Sequence, residues 1–199
     1  MCIRDRGKAM FGDFIKGKKR STGKQKEAVD KNANKKITPQ ELSDYWKHFA
    51  KKVITCCMYA VEHTAERIFI LMSFDERQPS IDIFYQINGE LKLWADLDNA
   101  QYVQNIQKDV IPYTEKFVKQ VNRVYDRAGC CRLAYGQIQY EFETQMFYTH
   151  RVSSSSIEAH LDKSAALMIW FDDVQKEVRH LPVDSKQQIT WGPFRLRYT

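Results

Sequence analysis

Apolar residues along the chain alternate between two periods, and each change of period marks a new element. From Pro39 to about His63, residues Leu42, Tyr45, Trp46, Phe49, Val53, Cys57 and Ala60 recur at spacings of three and four. That spacing predicts a helix with one apolar face. Period two follows in "RIFILMSFD" (67–75) and "SIDIFYQI" (80–87), with "ERQP" between them as a turn. Asn88-Gly89 fits a tight hairpin turn into "ELKLWADL", so three consecutive antiparallel strands are expected. Residues 99–128 return to a helical stripe of Val103, Ile106, Val110, Phe117, Val121, Val124 and Tyr125. Pro112 should kink or divide this helix because it lacks a backbone donor. Gly129 suits its stop.

"RLAYGQIQYEFETQMFYTHRV" (132–152) reads as strand, long enough for two strands or one with a bend. Ile138, Tyr140, Phe142, Thr144, Met146 and Tyr148 share one face, and Gln137, Gln139, Glu141, Glu143 and Gln145 share the other. The first face is expected to pack and the second to meet water or a partner. "SSSS" (153–156) then caps a last helix, about 157–181, with a stripe of Ile157, Leu161, Ala165, Met168, Phe171, Val174 and Val178, ended by Pro182. "ITWGPFRLRYT" has β-character and stops abruptly, as a fragment would. The pattern as a whole predicts an α+β fold: an antiparallel sheet of about four to six strands packed against two or three helices.

Charge divides the chain differently. Residues 1–36 carry 12 Lys/Arg and 4 Asp/Glu, a net of +8, while residues 37–199 carry 19 and 21, a net of −2. A basic, flexible arm over residues 1–37 and a single domain over 38–199 are therefore expected. The opening "MCIRDR" resembles translated adaptor or vector DNA and is expected to be non-native. The arm offers nucleic acid or an anionic membrane a site through residues 7–36. No stretch of about 18 apolar residues predicts a transmembrane helix, and nothing indicates export, so a cytoplasmic location is expected.

The chemistry-bearing residues are scattered. Cys56-Cys57 and Cys130-Cys131 are adjacent pairs, the wrong spacing for zinc and for a secreted disulfide framework. Reduced, mostly buried thiols are expected, with neighbours pointing different ways. The histidines lack metal spacing, and no nucleophile motif or phosphate loop occurs.

"DKNANKKITPQE" (30–41) has the form of a calcium loop, with Asp30, Asn32, Asn34, Lys36 through its carbonyl, Thr38 and Glu41 at the ligand positions. Lys35 stands where the loop's sharp turn wants glycine, and three lysines face two carboxylates. The same residues predict a helix start: Thr38-Pro39-Gln40-Glu41 is a capping box with proline at the first helical position. The cap is the preferred expectation, and calcium is the alternative cofactor.

The order helix, "RIFILMSFDERQPSIDIFYQINGELKLWADL", long helix, "GQIQYEFETQMFY" resembles the YezG-type bacterial immunity or antitoxin proteins over about residues 40–150. "IDIFYQINGEL" is the counterpart of that family's aromatic strand pair. The resemblance implies no catalysis. It implies a protein that binds a cognate toxin and blocks it by occlusion. On this chain the expected partner-binding surface is the sheet face around Glu141 and Glu143, with Asp82 and Asp96.

Overall fold

Thr38 starts the first helix as its capping box predicts. In the computed structural model, which describes residues 37–75 and 77–194, Glu41 N–H donates to Thr38 Oγ1 at 3.2 Å and Thr38 N–H donates to Glu41 Oε2 at 2.8 Å. Proline follows at the first helical position, where no donor is needed, and helix α1 runs Pro39–Ala60. Thr38→Ala should lower stability by about 1 kcal/mol, read as a fall in the urea midpoint at unchanged slope. After Val61 the chain leaves the helix through Glu62 (φ 52°) and His63 (φ 61°), both left-handed.

Five antiparallel strands follow: β1 (Arg67–Ser73), β2 (Ser80–Ile87), β3 (Glu90–Leu93), β4 (Leu133–Glu141) and β5 (Met146–Ser153). Their order across the sheet is β3-β2-β1-β4-β5. Asn88 (φ 53°) and Gly89 (φ 77°) make the expected hairpin turn, whose two central residues both need positive φ. Strand β1 is central, and all seven of its residues are buried. Burial on both faces requires cover on both sides of the sheet, which the chain supplies as two cores. Ile68, Ile70, Met72, Ile81, Ile83, Tyr85 and Ile138 face α1 and the helix before β4. Phe69, Leu71, Phe84, Tyr135 and Val152 face the last helix and the chain beyond it.

Pro112 does not divide the second helical region. Helix α2 (Ala100–Asn105) passes into a single wide π turn (Ile106–Val110), then into α3 (Ile111–Ala128). In the wide turn Ile111 N–H reaches back five residues to the Ile106 carbonyl, so Pro112 falls in the first turn of α3, where its missing donor costs least. Gly129 (φ 68°) closes α3, with Gly129 N–H donating to Asp126 O and Cys130 N–H to Tyr125 O, each at 3.0 Å.

The last helix departs from its expected bounds. Residues Ile157–His160 form a 3-10 turn, and Asp162 caps α4 (Lys163–Val178) by accepting from Ala165 N–H at 2.9 Å. The cap resets the phase. Ala166, Trp170, Val174 and Val178 are buried, whereas Ile157 is 89% exposed and Met168 45%. Beyond α4 the chain forms a strap, residues 182–194, that buries Ile189, Trp191 and Phe194 against this second core with no strand of its own. Gly192 is required here: its φ is +60°, and a Cβ would stand 2.8 Å from Trp170 Cα.

Candidate functional site

A strap without strand pairing must satisfy its backbone some other way. Strand β4 does this with side chains. Gln139 Nε2 donates to the carbonyls of Ile189 (2.8 Å) and Thr190 (3.0 Å), and Gln139 Oε1 accepts from Ile189 N–H at 3.0 Å. Gln137 Nε2 donates to Trp191 O at 3.3 Å. Glu141 completes the row. Its Oε2 accepts from Lys186 N–H at 3.1 Å and from the Thr144 hydroxyl at 2.6 Å, while Oε1 accepts from Ser185 Oγ at 3.2 Å.

Arg67 is the cation at the centre of this row. Only 2% exposed, it donates to Glu141 Oε1 at 2.9 Å, to Gln86 Oε1 at 2.8 Å, to the Pro182 carbonyl and to Ser185 Oγ. Burial alone would raise the Glu141 pKa, but hydrogen bonds from Thr144, Arg67 and Lys186 N–H, with the guanidinium charge, hold it below the usual carboxylate range. The cleft over this cluster, lined by Arg67, Phe69, Gln139, Glu141, Tyr148 and Gln187 among others, is shallow and leaves about 10 Å³ for a water-sized molecule. That is smaller than the roughly 300–1,000 Å³ of usual small-molecule sites. Its charged groups already engage one another, so the cluster fastens strap to sheet.

These contacts correct the expected face. Gln137, Gln139 and Glu141 are buried beneath the strap, because both sheet faces are covered. Glu141 therefore offers no free carboxylate to a partner. The chain turns at residues 142–145, and His150 pairs with Gln137 across the hairpin, so it shares the face of Gln137 and Glu141. Its ring stacks on Trp191, with centroids 5.5 Å apart. Burial lowers its pKa, against a hydrogen bond that the imidazole donates to the Phe194 backbone carbonyl and the Glu158 charge.

The remaining expected partner residues lie apart. Asp82 faces α4 and pairs with Lys163 at 2.9 Å. Asp96 is exposed in a 3-10 turn after β3, on one edge of the sheet, while Glu143 is exposed at the β4–β5 turn. Thr38 and Glu41 serve the α1 cap; Asp30, Asn32, Asn34 and Lys36, with the basic arm, lie outside the described residues. No group of three metal-ligating side chains occurs among the described residues.

Glu143 does belong to a surface that periodicity missed. Register places the end of β4, the start of β1 and the β2–β3 turn at one end of the sheet. There Tyr59 meets His63 edge-on at 4.8 Å, and His63 lies 6.2 Å from Phe142. Tyr59 is 36% exposed and Phe142 38%. Phe142 N–H donates to Glu66 O at 2.9 Å, which ties the hairpin tip to β1. Glu62 is the chain neighbour of His63, and Glu143 that of Phe142. Glu66 accepts from Gly89 N–H with both oxygens at 3.1 Å, and Glu62 and Glu143 are exposed. No ion pair among the described residues engages Glu62, Glu66 or Glu143. The two consecutive left-handed residues, Glu62 and His63, present this corner at a backbone cost. Phe142 gave no warning, since its strand parity read as packing. The stretch "EHTAE" carries no signal of positive φ.

The thiols divide between interior and surface. Cys56 and Cys57 are both buried, because α1 is covered over more than one stripe, including Ile54 and Met58. Burial pushes the Cys56 thiol up to about 11 and raises Cys57, which lies beside the Tyr85 hydroxyl, further still. Cys130 and Cys131 are exposed. No helix among the described residues is long and apolar enough to cross a membrane. No protein-family model matches the chain, and no curated protein matches it.

Proposed function

We propose that this chain is a non-catalytic binding protein that covers a basic surface of a protein partner with the Tyr59–His63–Phe142 corner. The observation that carries this reading is the aromatic cluster with Glu62 and Glu143 as its chain neighbours and Glu66 tied to Phe142 through the backbone, none of the three ion-paired among the described residues. Exposed aromatics supply contact area at low entropic cost, and unpaired carboxylates steer a cationic partner and select against acidic ones. The resemblance of residues 40–150 to YezG-type immunity proteins makes a bacterial toxin the partner class, neutralised by occlusion in the cytoplasm. Acids on this face match a basic toxin surface, so the domain's mild net charge of −2 over residues 37–199 is no obstacle.

The test is co-expression with the protein encoded by the adjacent gene. The reading expects co-purification and rescue of growth. Phe142→Ala should weaken binding by about 30-fold or more, as loss of a central anchor does. Glu62→Lys with Glu143→Lys should slow association and remove most of its salt dependence, while Asp96→Lys, on the far edge, leaves binding unchanged. Equal effects from all three, or no neighbouring protein that binds, would defeat the proposal.

A further inference from the structure

Two adjacent cysteines at the α3–β4 connection remain unexplained by the binding reading. Cys130 and Cys131 are both exposed, neither in a disulfide, and lie between Gly129 and Leu133 in backbone that belongs to no helix or strand; the Cys130 thiol faces the Ala128 carbonyl at 3.9 Å. The buried thiols of α1 differ, since burial raises their pKa values and shields them. We infer that Cys130 and Cys131 are a redox-sensitive dithiol which a hydroperoxide converts into a disulfide between neighbouring residues.

The step balances with the peroxide as oxidant. One thiol ionises and its thiolate attacks the peroxide; an S–O bond forms, the O–O bond breaks, and the departing hydroxide, or the alkoxide of an organic peroxide, takes up the thiol's proton and leaves as water or alcohol. The second thiol then attacks that sulfenic sulfur; the S–S bond forms, the S–O bond breaks, and a water leaves. Sulfur is oxidised by two electrons and the peroxide is reduced by two. Adjacency makes the second step intramolecular, so the neighbouring thiol resolves the sulfenic acid before further oxidation.

Geometry makes the product labile. Neighbouring Cα atoms across a trans peptide stand about 3.8 Å apart, whereas relaxed disulfides span roughly 4.4–6.8 Å. The ring must distort the Cys130–Cys131 peptide, and a strained, exposed disulfide is easily reduced again, which suits a reversible switch. The strain would act on a defined joint. Cys130 N–H closes the end of α3 on Tyr125 O at 3.0 Å, and Arg132 pairs with Asp126 at 2.7 Å. Arg132 O also accepts from Ser154 N–H at 2.8 Å, which links the joint to the end of β5.

The test uses the full chain in native buffer with hydrogen peroxide, then alkylation, trypsin and mass spectrometry. Cleavage after Arg127 and Arg132 places both thiols in one peptide, Ala128–Arg132. The expected product is that peptide unalkylated and about 2 Da lighter than its dithiol, restored by dithiothreitol. Amides of Gly129 and Cys130 should exchange faster in the oxidised protein. Cys130→Ser and Cys131→Ser, both at exposed positions, should each stop at a sulfenic acid that dimedone traps. Two free thiols at peroxide levels that oxidise glutathione in the same tube, sulfinic acid at either position, or a bond to Cys2 or to a second copy would each overturn the inference.

Discussion

Arg67→Met is expected to destabilise the domain by about 3–5 kcal/mol, measured by urea unfolding, because it strands a buried carboxylate. Glu141 is 5% exposed and has the Arg67 guanidinium as its counter-ion. Removing Arg67 also leaves Gln86 Oε1 and the Pro182 carbonyl without that donor. The loss should consume much of the roughly 5–15 kcal/mol of a typical domain. Arg67→Met combined with Glu141→Leu should cost less than the two single changes together, since the second removes the stranded charge. A double-mutant cycle with no coupling would show that the pair holds nothing.

The same pair fixes an acid response. The folded-state pKa of Glu141 is depressed, so its stabilisation is fully present above the ordinary carboxylate range and is lost as pH falls through the folded value. His150 has the same sign for another reason: burial disfavours its cation, so stability falls as pH drops below the ordinary histidine range. Both groups lie beneath the strap. Acid should therefore loosen the strap in two stages, first through His150 and then through Glu141. Glu141→Gln should flatten the lower stage of a stability–pH curve and leave the upper one in place.

How much of this was legible depends on whether one residue or a distant partner set the outcome. The α1 cap, the Asn88-Gly89 turn, the Gly129 stop and the antiparallel β1-β2-β3 run are local devices, and local residues announced them. The Gln137-Gln139-Glu141 row shows a strand's alternation but not what covers it. The strap that does so arrives about 45 residues later and pairs through side chains. The place of His150 is hidden for a related reason: a turn inside residues 142–145 moves it onto the face of Glu141, and parity cannot be carried across a turn. In α4 a strong stretch of Ile157, Leu161 and Ala165 outweighed Asp162, whose capping oxygen sets the actual start. The corner at Tyr59, His63 and Phe142 joins three separate elements, so no window along the chain contains it.

Trp170→Ala tests whether the strap is a separately anchored layer. Trp170 is fully buried, lies 4.9 Å from Phe84 and 6.0 Å from Phe69, both edge-on, and sits tilted against Trp191 at 6.4 Å. Its Nε1–H donates to Thr190 O at 2.8 Å. Truncating a buried tryptophan costs about 3–5 kcal/mol, through lost transfer energy and the cavity left behind. The loss should be uneven. The Ile189 and Thr190 amides are held by Gln139 and Glu177 side chains, and they should exchange at rates near those of free chain. Amides of α1, packed on the opposite core of Trp46, Phe49 and Ile70, should keep most of their protection, as should those of β1, the central strand that both cores share. Trp170→Phe retains the ring contacts and loses the donor to Thr190, so it should release the strap at a smaller total cost. Hydrogen exchange that rises equally in β1, α1 and the strap would mean that the two cores unfold as one, and that the β4 side-chain row does not define a distinct unit.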